Sequence, residues 1–127
     1  MKFLSEDKCD YINVVKSVIT EDSLCLLTFT EDVGVGNLVI LHKTQAEGLA
    51  NFILGCLDED RGYQSERFYS LLDESDYVNV SKSVLSNKES FYINSFEGYI
   101  SQSNTVLLQD DEAEKLSRFI LEELSKE

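Results

Sequence analysis

The chain repeats itself. Shifted by 66 positions, Asp10–Ile19 (DYINVVKSVI) overlays Asp76–Leu85 (DYVNVSKSVL) with seven identities in ten; at a shift of 67, Asn37–Leu57 overlays Asn104–Leu124 with ten identities in 21. Such a duplication demands two copies of the same elements in the same order. Halves of about 60 residues are marginal alone, so the 127 residues are expected to fold jointly as one pseudo-symmetric domain.

Each copy reads as three strands and a helix. In the first, Ile12, Val14 and Val18 alternate with Tyr11, Asn13 and Ser17, the period of a half-buried strand. A turn at 20–23 leads to a second strand, Leu24–Thr30, and a Gly-containing hairpin loop, Glu31–Gly36, in which glycine supplies positive φ. Asn37–His42 is the third strand. Thr44 with Glu47 has the spacing of a capping box, and Ala46, Leu49, Phe52, Ile53 and Leu57 form one apolar helical stripe.

The second copy repeats these steps through Asp76–Leu85, Ser90–Phe96, a loop with Gly98, Asn104–Gln109 and a helix from Glu112 to about Leu124. There Asp111 and Glu114 stand as the N-cap pair. The expected class is α+β: two βββα units with antiparallel sheets and one helix each, at 1–57 and 76–127. An acidic bridge at 58–75 joins them, with a short helix capped by Ser65 running to Leu72, and Phe68, Leu71 and Leu72 turned inward.

The core explains the apolar matches between the copies. It does not explain the other face of the first strand, where Tyr11, Asn13 and Ser17 return as Tyr77, Asn79 and Ser83. These six are expected either to line a seam or ligand face about the pseudo-twofold axis or to serve internal packing, and both readings stay open.

Charge narrows the function classes. With 24 acids against 11 bases, the net charge of −13 argues against direct nucleic-acid binding, which is driven by cationic side chains displacing counterions. It favours a basic protein partner, such as a nucleic-acid-binding enzyme with a Lys/Arg-lined groove. Acids exceed bases by 4 in 1–57, by 4 in 58–75 and by 5 in 76–127, so negative charge is densest in the bridge. Asp58, Glu59, Asp60, Tyr63, Glu66, Asp73 and Glu74 are the candidate partner-binding residues there, carboxylates beside an aromatic anchor.

Catalytic signatures are weak. His42 is the only histidine, and Cys25 and Cys56 sit at core positions where a free thiol behaves as a small hydrophobe. No metal-ligand spacing occurs, and Gly34-Val35-Gly36 lies between strands behind Glu31 and Asp32, a poor phosphate cradle. No cofactor, metal or catalytic residue is expected. Three unpaired cysteines and no apolar run long enough for a membrane span lead to the expectation of a cytoplasmic protein.

The functional expectation is a small acidic, non-catalytic inhibitor or adaptor, in the manner of nucleic-acid mimics of the phage anti-defence type. An immunity protein that neutralises a toxin is one alternative, and a sensor or sequestering protein with a ligand pocket at the repeat seam is another.

Overall fold

Alternating side chains build two four-stranded antiparallel sheets, each followed by one helix. The computed structural model describes residues 1–17, 22–34, 36–58, 64–70, 75–83 and 90–126. The first unit comprises β1 (Lys2–Leu4), β2 (Tyr11–Lys16), β3 (Ser23–Phe29), β4 (Gly36–His42) and α1 (Lys43–Asp58). The second comprises β5 (Gln64–Tyr69), β6 (Tyr77–Ser83), β7 (Ser90–Glu97), β8 (Gln102–Gln109) and α2 (Asp110–Ser125). The strands lie in sequence order in both sheets.

Each unit thus has one strand more than its sequence periodicity reveals. β1 is three residues long, and only Phe3 is buried. Its counterpart β5 occupies the bridge, where a helix from Ser65 is expected; Glu66↔Val80 and Phe68↔Val78 pairing with β6 places this segment in the sheet instead. Tertiary pairing overrides a local cap signal. Phe68 does turn inward, whereas Leu71 and Leu72 lie outside the described residues. The second unit therefore starts at Gln64.

The inner face of each sheet carries the core. Ile12, Val14, Leu24, Leu26, Val39 and Leu41 from the first sheet meet Val78, Val80, Phe91, Ile93, Val106 and Leu108 from the second, with Leu49, Ile53, Leu116 and Ile120 from the helices. Phe52 and Leu57 of the expected stripe are half-buried against this core.

The helix starts differ from the expected caps. Helix α1 begins one residue before Thr44, whose backbone N–H donates to Nδ1 of His42 at 3.4 Å, so the only histidine takes the capping position. Gln109 precedes α2 without a side-chain cap bond; Asp110, Asp111 and Glu112 fill its first turn, where the helix dipole favours negative charge.

Each helix packs across to the first strand of the other unit. Phe52 of α1 meets Phe68 of β5 with ring centroids 6.4 Å apart, and Phe119 of α2 meets Phe3 of β1 at 5.8 Å. The same exchange satisfies edge-strand donors: Tyr69 N–H donates to Gln45 Oε1 and Leu4 N–H to Glu112 Oε2, both at 3.3 Å. Unsatisfied edges invite intermolecular pairing, and here the opposite helix covers them.

The sheets meet through β3, β4, β7 and β8. Their seam is polar and reciprocal. Asn104 Nδ2 donates to the Thr28 carbonyl at 3.1 Å, Asn37 Nδ2 donates to the Ser95 carbonyl at 3.3 Å, and the hydroxyls of Thr28 and Ser95 bond to each other. Asn37 and Asn104 are equivalent in the two copies, as are Thr28 and Ser95, so the pseudo-twofold axis passes between the hydroxyls.

Candidate functional site

Tyr11 and Asn13 of β2 and Tyr77 and Asn79 of β6 do not line this seam. Tyr11 and Tyr77 lie on the outer faces of different sheets. Tyr11 stacks on Phe29 at 5.2 Å with Lys2 4.5 Å above it, and Tyr77 stacks on Phe96 at 5.2 Å with Arg67 4.0 Å above it. These cation-on-aromatic stacks brace the outer face of each sheet. Asn79 bonds the hydroxyls of Ser65 and Ser81, while Asn13 accepts from the amino group of Met1 at 3.1 Å. Ser17 donates its backbone N–H to the Ser23 carbonyl, and Ser83 is the last residue of β6.

The acid that precedes each tyrosine pins a hairpin. Asp10 Oδ1 accepts from Glu31 N–H at 2.9 Å, and Asp76 Oδ1 accepts from Gly98 N–H at 2.8 Å. A Cβ on Gly98 would lie 2.4 Å from Ser75 Oγ, so this turn is tied closely to the start of β6. Gly34 does carry the expected positive φ, at +74°.

Of the bridge candidates, Asp58 ends α1 and is exposed, and Glu66 is exposed on β5. Glu59, Asp60, Tyr63, Asp73 and Glu74 lie outside the described residues.

Negative charge elsewhere divides into two kinds. Glu112 and Glu114 of α2 pair with Lys115 and Arg118 at 3.2 Å, and Glu123 with Lys126 just past the helix end at 2.9 Å, which offsets their charge; Glu112 also accepts the Leu4 N–H. At the hairpin end of the first sheet, carboxylates are held by backbone N–H groups instead. Asp10 takes Glu31 N–H, Asp7 takes Cys9 N–H at 3.0 Å, and Glu97 takes Leu38 N–H. Glu31 and Asp32 are exposed in the same turn. The Ser5 hydroxyl, with Cys9 N–H, lowers the Asp7 pKa. The Cys9 thiol donates to the Asp7 carbonyl at 3.6 Å, and the Glu31 carboxylate beside it raises its pKa to about 11. A thiol with that pKa is a poor nucleophile near neutrality.

Sequence reasoning missed the outer face of the first sheet. Leu4, Tyr11, Val15, Cys25, Leu27, Phe29, Leu38 and Ile40 all point away from the helices, with Val15 46% and Leu38 43% exposed. The signal was present in β3, where Leu24-Cys25-Leu26-Leu27 is apolar on both faces instead of alternating. Apolar side chains are also exposed at the hairpin tips, Val33 in the first unit and Tyr99 and Ile100 in the second, Tyr99 to 95%.

No protein-family model, characterised protein or solved structure matches the chain. Among the described residues, no helix is long and apolar enough to cross a membrane, and no group of three or more His, Cys, Asp or Glu is gathered as in a metal site.

Proposed function

We propose that this chain is a small acidic binding protein that acts without catalysis, as an inhibitor or adaptor docking on a Lys/Arg-rich surface of another protein. The observation that carries this reading is the band of carboxylates at the hairpin end of the first sheet, where backbone donors fix Asp7, Asp10 and Glu97 in place. Fixed carboxylates lose little side-chain freedom when a cationic group arrives, and charge-assisted hydrogen bonds to guanidinium or ammonium groups are among the stronger polar contacts. The net charge of −13 adds long-range attraction toward such a surface. A nucleic-acid-binding enzyme, whose groove is built to hold phosphates, presents cations of this kind.

The thiols and the histidine support a non-catalytic role. Cys25 and Cys56 are buried, Cys9 is held protonated by Glu31, and His42 Nδ1 accepts the Thr44 amide.

The test is an affinity capture from nuclease-treated host lysate, eluted in steps of rising salt, with the partner then measured by surface plasmon resonance. Glu31→Lys with Asp32→Lys, and separately reversal of Asp58, Glu59 and Asp60, are expected to slow association on the order of tenfold and to flatten its salt dependence. If both sets leave the association rate and its salt slope unchanged, the electrostatic reading is wrong.

A further inference from the structure

We infer that the outer face of the first sheet is the docking surface for that partner, and that the partner brings an apolar patch rimmed by lysine or arginine. This rests on the binding reading above and adds where and with what chemistry the contact forms.

The argument comes from the duplication itself. Among the described residues no helix packs on the outer face of either sheet, and the main core draws on inner-face residues; on the outer face of the first sheet Cys25 and Ile40 are buried, while Val15 and Leu38 are exposed. At three equivalent positions the two faces differ in kind, although Tyr92 and Leu107 keep the second apolar where the first has Cys25 and Ile40. Val15, Leu27 and Leu38 of the first sheet stand where the second has Ser81, Asn94 and Thr105. In the second sheet these groups form a surface network: Asn94 Nδ2 donates to Ser103 Oγ and Thr105 Oγ1 at 2.7 Å, and Ser81 Oγ donates to Ser65 Oγ at 3.1 Å. The backbone therefore accepts polar residues at these positions, and the skeleton does not require an apolar first face. A contiguous exposed apolar patch with a polar rim is the usual form of a protein interface.

The rim selects the occupant. Asp10, Glu31 and Asp32 stand at the hairpin end of this face, and the Glu97 carboxylate lies on the β4 edge against Leu38 N–H. A second copy would bring the same carboxylates and the same net charge, and an anionic lipid surface would be repelled. An apolar patch edged with cations satisfies both the centre and the rim.

The probe is a synthetic peptide whose leucines form one face and whose lysines flank it, compared with a lysine-only peptide of equal length. The variant is Val15→Ser, Leu27→Asn, Leu38→Thr, which installs the residues the second sheet already carries. Wild type is expected to bind the leucine–lysine peptide at least tenfold tighter than the lysine-only peptide. Methyl NMR shifts should move at Val15, Leu27 and Leu38 and not at Thr105, which takes the place of Leu38 in the second sheet.

The triple variant is expected to bind both peptides alike; Leu38→Thr alone, with circular dichroism as a folding check, keeps the test open if the triple does not fold. Undiminished leucine–lysine binding by the folded variants overturns the docking surface while leaving the electrostatic reading standing. Failure of wild type to bind either peptide overturns both. Concentration-dependent dimerisation in sedimentation, abolished by the triple variant, would overturn the proposed occupant in favour of a second copy.

Discussion

The two outer sheet faces began as one sequence, and they have kept and lost different things. Retained are the pinning acids Asp10 and Asp76, the stacked pairs Tyr11–Phe29 and Tyr77–Phe96, and a cation over each tyrosine. Lost is the likeness at one central pair, where Leu27 and Leu38 oppose each other in one sheet and Asn94 and Thr105 in the other, while the neighbouring pair stays apolar as Cys25 and Ile40 or Tyr92 and Leu107. The retained set ties strand to hairpin and braces the open side of the sheet, so both units need it. The divergent set bears no such load, and selection for binding can act on it in one copy alone.

The strongest way to break this picture is to attack the exchange of helices between units. Phe3→Ala and Phe68→Ala each empty a buried site against the opposite helix, and each is expected to cost about 3–5 kcal/mol in denaturant unfolding. Near-equal losses would mean that the two exchanges bear equal load. A loss below about 1 kcal/mol at either site would show that only one exchange holds the halves together.

A smaller and more pointed difference separates Lys16 from Lys82, identical residues of the duplicated strand. Lys82 is only 1% exposed, and its ammonium donates to the Cys56 carbonyl at 2.8 Å, near the C-terminal end of α1 where the helix dipole favours a cation. Lys16 is exposed at the end of β2. Lys82→Ala is expected to destabilise by about 1.5–3 kcal/mol, the range for a hydrogen bond to a charged group, whereas Lys16→Ala should stay within about 0.5 kcal/mol. Thermal unfolding of the two variants reads this directly. Equal effects would mean that the burial of Lys82 does not matter to the fold.

Much of the skeleton was legible because duplication and periodicity reinforce each other: β2 to β4, β6 to β8 and both helices lie where alternation and the 3.6-residue stripe place them. The hidden strands β1 and β5 had no such support. Three residues around Phe3 are too short to show a period, and Gln64–Tyr69 offers a Ser cap and a single buried side chain, Phe68. Pairing with β6 decides that segment, and pairing is not a local property. The seam was illegible for a related reason: Asn37 and Asn104 were visible as a match, but only the packing of β4 against β7 and of β8 against β3 turns that match into reciprocal bonds across the axis. The carboxylates of the hairpin end are distant in sequence from the donors that hold them, Asp10 from Glu31 and Glu97 from Leu38, so a count of charge by segment does not bring them together.

The smallest expected effect tests whether the hairpin of the first unit has acquired properties the second lacks. Cys9 and Glu31 stand where the second unit has Ser75 and Gly98, and only the first pair can couple a thiol to a carboxylate. The Glu31 carboxylate raises the Cys9 pKa from its ordinary 9.0 to about 11. Because the folded value lies above the unfolded one, the associated stability is present below about pH 9 and fades as pH climbs toward 11. The thiol is fully exposed, so the effect belongs to reactivity more than to stability. Its alkylation by iodoacetamide should be slow at pH 8 and rise with a midpoint near pH 11. Glu31→Gly, which installs the residue of the second unit, should bring that midpoint down toward 9. A wild-type midpoint already near 9 would mean that the Glu31 carboxylate is not held against Cys9, leaving it free to swing toward solvent and weakening the case for a preorganised acidic rim.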